Sequence, residues 1–385
     1  MTALDAVAVE AVSAAVVGTG VCVEWLGRTA RLHPRWLRER STELGEIEPT
    51  NRQRVFVPTV IDADLRVVAV VVEQDCLVTT FSDGHVAHLD LPAIERVLGW
   101  RVDDEEPPAP EPWFEPPTAL PYIDWAGVGW IDDEGDLDAR IDFLESFFRL
   151  GYVILRNTPA EIGTVERIAH RLGYIVGHNF GWVFDVRAKP SPTDLAYTSL
   201  ALPAHSDEPY RRPVPGIQML HCISNEATGG DSTLVDGLAA AIALEQAHPE
   251  WHAALAATEV TWRYDMGIDT VVHRGHVLEY DRHGRYQQIR LNTKLDEPAP
   301  TASNLDAFYA GRTWLSEWTN DPSHQVTFRL EPGDVMFMDN HRALHGRTAF
   351  DPTSGHRHLQ GCYIEHDGPD TMYRMSVRRR AMLGS

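Results

Sequence analysis

The sequence is poor in cysteine and in basic side chains, and each shortage excludes a class of protein. Four cysteines occur among 385 residues, and no two of them form a C-x-x-C pair. We therefore expect neither a disulfide framework nor a cysteine-based zinc site. Lys and Arg total 34 against 56 Asp and Glu, which gives a formal net charge of -22. Because nucleic acids and anionic membranes bind basic surfaces, neither is expected as a partner.

Long apolar runs are also missing. No run reaches the roughly 20 residues that a membrane-spanning helix needs. Residues 1–25 are rich in Ala and Val, but they carry Asp5 and Glu10 and lack the basic flank of a secretory signal. Scattered cysteines suit a reducing compartment, so we expect a cytoplasmic protein.

Proline and acidic residues are concentrated in one stretch, which predicts a domain boundary. Residues 104–121 are rich in both, and proline prevents a helix or a central strand there. We expect an extended linker between a small domain at 1–103 and a larger one at 122–385. The small domain is predicted to be β-rich, because turn residues separate short strand-like segments at 20–25, 54–57, 65–72 and 76–81.

The larger domain begins with helical patterns and continues with strands. Leu137, Ile141 and Leu144 recur at helical spacing within 136–149, and a second amphipathic pattern spans 159–172. Further helices are predicted only at 238–247 and 304–320. The predicted strands are 151–155, 217–222, 287–292, 326–330, 334–338 and 358–365. This order favours an α+β fold whose core is a double-stranded β-helix, or jelly roll, with flanking helices.

His205 and Asp207 carry the most specific chemical signal in the chain. Two residues apart on an extended segment, they point to the same side of it. An imidazole from a distant strand, His345, would complete a facial set of three ligands. Such a set leaves coordination positions open for a co-substrate and O2, as in non-haem Fe(II) oxygenases. His341 precedes His345 by four residues, but the surrounding pattern is strand-like and we expect His341 on the surface.

Arg357 follows His345 by twelve residues and is expected on an adjacent strand. A planar guanidinium can hold a carboxylate through two charge-assisted hydrogen bonds. A 2-oxoglutarate oxygenase needs such a contact for the distal carboxylate of its co-substrate. Arg357 is therefore the predicted 2-oxoglutarate residue.

Several short motifs, in order along nearly the whole chain, resemble the γ-butyrobetaine and trimethyllysine hydroxylases, within the broader group that includes taurine dioxygenase. The matching stretches are Trp36-Leu37-Arg38, residues 180–185, Ala196-Tyr197-Thr198, His205-Ser206-Asp207, Leu220-His221-Cys222, Thr228-Gly229-Gly230-Asp231-Ser232, Val235-Asp236-Gly237, Asp339-Asn340, Leu344-His345-Gly346-Arg347 and residues 357–361.

The resemblance assigns roles to individual residues. It implies that His205, Asp207 and His345 bind Fe(II) and that Arg357 holds 2-oxoglutarate. Ser232 would add a hydroxyl to the co-substrate, although capping of its loop explains this serine equally well. Relatives bind a trimethylammonium group in an aromatic cage, and each ring face attracts a cation by about 0.5–2 kcal/mol. The matching cage positions are Phe180, Phe184, Tyr197 and Tyr363.

The chain departs from the family pattern in its small domain. Many relatives bind zinc there through cysteines that follow Trp-Leu-Arg and through a later histidine. The segment after Arg38 has no cysteine, and His85 matches the remaining ligand alone. Because a structural zinc site needs four ligands, no zinc is predicted. We expect this domain to serve as a scaffold or as the surface of a homodimer.

The second departure concerns the substrate. Glu208 and Asp194 stand where relatives tend to place neutral donors toward a substrate carboxylate, and like charges repel. Either Arg211 or Arg212 neutralises Glu208, or the substrate carries another group at that end. Asn292 remains a neutral donor.

These residues predict an Fe(II)- and 2-oxoglutarate-dependent hydroxylase of a small quaternary ammonium compound. The first alternative keeps the same chemistry, as hydroxylation, desaturation or cyclisation, on another amine, an aminophosphonate or a secondary metabolite. The second alternative is a catalytically silent jelly-roll protein that binds a small ligand.

Overall fold

In the computed structural model of the chain, the structure describes residues 12–43, 45–101, 105–128, 136–187 and 198–384. The chain divides into two compact units, residues 1–104 and 105–385. Among the helices of the described ranges, none is both long enough and apolar enough to cross a membrane.

The first unit is built from two three-stranded antiparallel sheets. Their strand orders are β1-β2-β3 and β4-β5-β6. Alternating apolar residues of the strands, such as Leu77 and Phe81, form a core that also buries Leu37 of the first helix. The elements are β1 (Ser13–Val17), β2 (Gly20–Trp25), β3 (Arg28–Leu32), α1 (Pro34–Arg38), β4 (Val67–Glu73), β5 (Cys76–Phe81), β6 (Val86–Asp90) and α2 (Leu91–Val97).

The second unit contains the remaining elements. They are β7 (Tyr122–Asp124), α3 (Trp125–Val128), α4 (Leu137–Leu150), β8 (Tyr152–Arg156), α5 (Thr164–Leu172), β9 (Val183–Val186), β10 (Leu202–His205), β11 (Ile217–Asn225), β12 (Ser232–Asp236), α6 (Gly237–Ala247), α7 (Pro249–Ala257), β13 (Val260–Met266), β14 (Asp269–Gly275), β15 (Leu278–Tyr280), β16 (Tyr286–Ile289), β17 (Asp296–Pro298), α8 (Leu305–Asn320), β18 (Val326–Phe328), β19 (Val335–Asp339), β20 (Ala343–Arg347), β21 (Arg357–Ile364) and α9 (Asp367–Gly384).

Two facing sheets form the centre of the second unit. The larger sheet has the order β7-β8-β19-β11-β21-β9, and the smaller has the order β10-β20-β12-β18. Consecutive strands such as β19, β20 and β21 alternate between the two sheets, as in a double-stranded β-helix. The predicted α+β class with a jelly-roll core is confirmed.

The four central strands of the larger sheet, β8, β19, β11 and β21, are buried on both faces, as their mostly apolar sequences predict. Side chains alternate along each strand. In β8, Tyr152 and Ile154 face the smaller sheet, whereas Val153 and Leu155 join the core under the helices α4, α5 and α9. In β19, Met336 and Phe337 divide in the same way. The helices thus cover one face and leave the other for the space between the sheets.

Residues 105–121 contain no helix or strand and pack on the rest of the second unit. Trp113 is buried, and its indole N–H donates to the carbonyl of Leu150 at 3.0 Å. The backbone N–H of Trp113 donates to Asp236 Oδ2 at 3.0 Å. The same carboxylate is paired with Arg342 at 2.7 Å, and both side chains are buried. Arg342 also donates to the carbonyl oxygens of Arg149 and Glu111, each at 2.8 Å.

Several expectations about secondary structure are wrong. Residues 54–57 form no strand, since Arg54 makes only an isolated bridge with Ile47. Helix α7 was not predicted, although proline at its first turn is a start signal. The C-terminal helix α9 was also not predicted, because its many charged residues blur the apolar spacing.

We expect Arg342→Ala to destabilise the chain by roughly 3–5 kcal/mol, because it leaves the buried Asp236 carboxylate without its counter-charge. Urea denaturation of the full-length protein measures the change in the free energy of unfolding. Arg263→Ala is the matched control, since Arg263 and Asp265 form an exposed pair at 3.6 Å and should contribute under about 1 kcal/mol. Equal effects of the two substitutions would contradict the importance of the buried pair.

Candidate active site

The pairing of β10 with β20 brings the two predicted metal-binding histidines together. His205 and His345 are direct partners in this antiparallel ladder. Their ring centroids lie 4.4 Å apart. The His205 ring is oriented by a contact between Nδ1 and the carbonyl oxygen of Pro203 at 2.9 Å. This contact leaves Nε2 of His205 to face a metal.

Asp207 completes the predicted triad. Its carboxylate oxygens lie 3.4 Å from His205 Nε2 and 3.6 Å from His345 Nε2. The donor atoms of the three residues all lie within 4.8 Å of one another. The intervening Ser206 is fully buried, whereas His205 and Asp207 are half-buried, a pattern that fits the expected alternation of side chains.

Three side chains hold Asp207 in place. Asn340 accepts from the backbone N–H of Asp207 at 2.8 Å and donates to its carbonyl oxygen at 3.1 Å. Tyr363 donates its hydroxyl to Asp207 Oδ2 at 2.7 Å, and Gln218 donates its amide to the same oxygen. These bonds hold Oδ2, the oxygen nearer His345 Nε2, and leave Oδ1 beside His205 Nε2.

Metal binding requires neutral imidazoles and an ionised carboxylate. Burial opposes protonation of His205, but Asp207 outweighs it and raises the pKa of this ring above its ordinary value, so a metal would displace a proton from His205. Burial lowers the pKa of His345 to about 4, so this ring is neutral near pH 7. Burial opposes ionisation of Asp207, but His345 and His205 outweigh it and hold the pKa of the carboxyl well below its usual range. The triad therefore offers two nitrogen donors and one anionic oxygen, the donor set of a facial iron site.

Arg357 reaches the same cavity from the other sheet. It begins β21, which pairs with β11 and β9, whereas His345 lies on β20 of the smaller sheet. The expectation of an adjacent strand is wrong, because β20 and β21 are consecutive in sequence but lie in opposite sheets. The guanidinium is buried, and its Nε has no hydrogen-bond partner among the described residues.

The environment of Arg357 fits an anionic ligand. Burial lowers its pKa, which means that the protein desolvates this cation. Its Nη2 donates to the carbonyl oxygen of Gly230 at 3.3 Å. Gly230 has a positive φ of 77°, and a Cβ there would lie 3.0 Å from Arg357 Nε. Glycine therefore makes room for the side chain, and a 2-oxoglutarate carboxylate fits the donors that remain.

Ser232 starts β12 opposite Arg347 and lines the cavity together with Arg357. Its position is compatible with a contact to the co-substrate. Arg347 also lines the cavity, and its Nη2 donates to the carbonyl oxygens of Thr198 and Leu200, each at 2.8 Å.

A cavity of about 430 Å³ opens above the triad. Three predicted cage residues, Phe180, Phe184 and Tyr363, line it, and so does Asn292. Phe184 stacks on Tyr363 with ring centroids 5.5 Å apart. The stack needs Gly361, since a Cβ there would lie 2.5 Å from the Phe184 ring. Tyr197 and Asp194 lie outside the described residues.

Glu208 lines the cavity but is neutralised by two partners. Arg211 Nε lies 2.6 Å from Oε2, and His178 Nδ1 lies 2.8 Å from Oε1. Of the two arginines considered from the sequence, Arg211 is therefore the one that pairs with Glu208. His178 also packs edge-on against Phe184 and Tyr363, at centroid distances of 5.3 and 4.9 Å.

Sequence reasoning missed several cavity residues. Tyr210 and Tyr264 stack with centroids 4.9 Å apart, and Tyr264 also meets Phe180 at 6.0 Å. Lys294 lines the cavity near Asn292. Tyr210 follows Asp207 by three residues, so proximity in sequence was a usable signal, whereas Tyr264 on β13 offered none.

The expectation for the position of His341 is wrong. It was expected on the surface, but it is half-buried and its Nε2 lies 3.0 Å from the carbonyl oxygen of Val214.

In the first unit, His85 contacts Ser41 Oγ at 3.2 Å and Glu46 Oε2 at 3.5 Å.

Comparison with known proteins gives consistent results. The family model described as "Taurine catabolism dioxygenase TauD, TfdA family" matches residues 127–363. The γ-butyrobetaine dioxygenase of Pseudomonas sp. (strain AK-1) is 34% identical over 375 residues, which cover 96% of this chain and 96% of that protein. The mitochondrial trimethyllysine dioxygenase of Rattus norvegicus is 28% identical over 346 residues, which cover 86% and 79%. A solved asparagine oxygenase superimposes with a TM-score of 0.49 at 22% identity, covering 62% of this chain and 82% of that one.

We expect Tyr363→Phe to weaken Fe(II) binding by roughly 10–100-fold, because the ring remains while the hydroxyl that orients Asp207 is lost. Anaerobic titration of the purified chain with Fe(II) measures the affinity. Tyr280→Phe is the matched control, since the Tyr280 hydroxyl lies 2.7 Å from His252 Nε2 rather than at the triad. An unchanged affinity in Tyr363→Phe would show that this hydrogen bond does not orient the ligand.

Proposed function

This chain belongs to the taurine catabolism dioxygenase (TauD, TfdA) family and is an Fe(II)- and 2-oxoglutarate-dependent dioxygenase, and we propose that it hydroxylates a small quaternary ammonium compound that also carries an anionic group. The family resemblance inferred from the motifs is confirmed. The substrate is our proposal. The observation that carries it is the arrangement of aromatic rings and charges around one cavity.

Iron and 2-oxoglutarate would be held by separate parts of the site. His205, Asp207 and His345 would bind Fe(II), and Arg357 would pair with the distal carboxylate of 2-oxoglutarate. Bound together, these groups supply the activation of O2 that couples decarboxylation of 2-oxoglutarate to hydroxylation of a substrate C–H bond. The two histidines come from the smaller sheet and Arg357 comes from the larger one. The packing of the two sheets therefore sets the distance between the iron and the residue that holds 2-oxoglutarate.

Aromatic rings support recognition of a cation. Phe180, Phe184 and Tyr363 line the cavity with Tyr210 and Tyr264. A quaternary ammonium group donates no hydrogen bonds and is weakly hydrated, so ring faces are well suited to it. Burial, together with the nearby Asp207, raises the pKa of Tyr363 well above its ordinary value. This ring therefore stays neutral and keeps its hydroxyl proton for the hydrogen bond to Asp207.

Glu208 does not prevent an anionic substrate end. The sequence raised the concern that this carboxylate would repel a substrate carboxylate. Its pairing with Arg211 and His178 removes that repulsion, since both oxygens face cationic or hydrogen-bonding partners. Asn292 and Lys294 also line the cavity and offer a neutral donor and a cationic one. A substrate with an ammonium group at one end and an anion at the other, such as γ-butyrobetaine, matches the rings and these two donors.

The residues of the chain would then orient the reaction. The rings hold the cationic head, and Asn292 and Lys294 hold the anionic tail, so the substrate spans the cavity. The carbon chain between them faces the open side of the triad. Positioning of one C–H bond is the main contribution that protein side chains can make to this chemistry.

We place the protein in the cytoplasm. Its four cysteines are all unpaired in the structure, which suits a reducing compartment. Cell fractionation tests this location, and recovery in an oxidising extracellular or periplasmic fraction would contradict it.

Turnover with candidate substrates tests the proposed function. We expect Fe(II)-dependent formation of succinate from 2-oxoglutarate to be stimulated by γ-butyrobetaine. The matched control compound has a quaternary carbon in place of the ammonium nitrogen. We expect it to lower kcat/KM by at least roughly tenfold, because each cage ring contributes about 0.5–2 kcal/mol only to a cation.

The outcomes of this assay are distinct. Equal turnover of both compounds would contradict cation recognition. Stimulation only by a different amine or by an aminophosphonate would contradict the substrate class. If no compound stimulates turnover and His205→Ala leaves ligand binding unaltered, the chain is a silent binding protein.

We expect Arg357→Met to raise the KM for 2-oxoglutarate by roughly 10–100-fold, since a hydrogen bond to a charged group contributes about 1.5–3 kcal/mol. Steady-state succinate formation at saturating substrate measures it. Arg274→Met serves as the control, because Arg274 is exposed and lies 3.9 Å from Glu259. A KM that is the same in both variants would remove Arg357 from the co-substrate site.

We propose that the first unit mediates a homodimer through exposed valines on the neighbouring strands β1 and β4. Val68 and Val71 are 58% and 53% exposed, and Val16 and Val17 are 40% and 41% exposed. Such apolar exposure favours contact with another chain. Light scattering should give the mass of a dimer for the wild type and of a monomer for Val68→Lys combined with Val71→Lys. A monomeric wild type would contradict the proposal.

A further inference from the structure

A second group of metal-binding side chains lies on the far side of the turn between β19 and β20. Asp339 ends β19, His341 lies in the turn, and His366 directly precedes α9. One donor atom from each residue lies within 4.8 Å of the others. None of these three residues lines the substrate cavity, so the group does not share a cavity with the iron triad.

The geometry of this group resembles that of the iron triad. His366 Nε2 lies 2.9 Å from Asp339 Oδ1. The rings of His341 and His366 have centroids 4.8 Å apart and are tilted by 47°, compared with 4.4 Å and 38° for His205 and His345. Two imidazoles and one carboxylate at these separations form a donor set for a divalent transition metal.

The hydrogen bond of His341 fixes which ring nitrogen is free. Its Nε2 lies 3.0 Å from the carbonyl oxygen of Val214. If Nε2 donates there, Nδ1 carries the lone pair that a metal needs. A backbone carbonyl on the other ring nitrogen is the usual support of a metal-binding histidine, and His205 has the same support from Pro203 in the iron triad.

The surroundings of His366 are negatively charged. Burial lowers the pKa of His366, but Asp339, Glu365 and Asp370 together raise it above its ordinary value. A Cβ at Gly216 would lie 2.7 Å from His366 Nδ1, so glycine at this position makes room for the ring. The nearby cation Arg290, which disfavours a charged His341, is itself paired with Glu279 at 2.9 Å.

We propose that Asp339, His341 and His366 bind a second divalent transition metal ion, which stabilises the turn that supports the iron site. The supported residue is Asn340, which lies between two of the ligands and holds the backbone of Asp207 through hydrogen bonds of 2.8 and 3.1 Å. The ion would fix the two ends of this turn to the start of α9. Its role is structural, because its ligands do not reach the substrate cavity.

Cobalt binding by the full-length protein tests the proposal independently of turnover. The chain is stripped with a chelator, titrated with Co²⁺ and freed of excess ion, and the bound metal is then measured by elemental analysis and by visible absorption. We expect two Co²⁺ ions per wild-type chain and one per His205→Ala/Asp207→Ala chain. Adding His366→Gln to that double variant should remove the remaining ion, because glutamine keeps a hydrogen bond to Asp339 but offers no imidazole.

A matched control and a second readout keep the test decisive. His358 forms another His–Asp pair, with Nε2 2.7 Å from Asp185 Oδ1, and His358→Gln should leave the remaining ion bound. Co²⁺ should raise the melting temperature of the double variant and not of its His366→Gln derivative. If the His366→Gln chain does not fold, His341→Gln replaces it in both measurements. The proposal is wrong if the double variant binds no Co²⁺, or if it keeps the ion after His366 or His341 is replaced. His366 and Asp339 would then form a hydrogen-bonded pair and no metal site.

Discussion

The active site depends first on the register between β10 and β20. That register places His205 opposite His345, and a shift of β10 by one residue would turn the His205 imidazole to the other face of the sheet, away from His345. The buried Leu344 and the register with β12 on its other side fix β20 in the smaller sheet. The positions of the two histidine ligands are therefore a consequence of strand pairing.

The third ligand is fixed differently, because Asp207 lies beyond the end of β10. Its backbone is held by Asn340 of the turn after β19, and its carboxylate by Gln218 of β11 and Tyr363 of β21. All three supports belong to or follow strands of the larger sheet. The iron triad thus joins the two sheets, and the spacing between the sheets controls how well its ligands converge. Tyr363 adds a further link, since the same ring lines the cavity for the substrate.

Sequence reasoning succeeded where chemistry depends on local spacing. The alternation along His205-Ser206-Asp207 and the motif around His345 predicted the triad, and the motifs predicted the family. It failed where chemistry depends on which sheet a strand joins. Arg357 was expected beside His345, but connections in a jelly roll cross from sheet to sheet. Tyr264 and Lys294 reach the cavity from segments with no recognisable motif, so only the folded chain brings them there.

The most direct test of this account is the absorption of the enzyme with Fe(II) and 2-oxoglutarate in the absence of O2. Chelation of bound Fe(II) by 2-oxoglutarate produces a visible charge-transfer band, which free Fe(II) with 2-oxoglutarate in dilute solution lacks. We expect the band in the wild type, and we expect it to be lost in both His205→Ala and His345→Ala. No band in the wild type, or an unaltered band in either variant, would contradict the assignment of this triad as the iron centre.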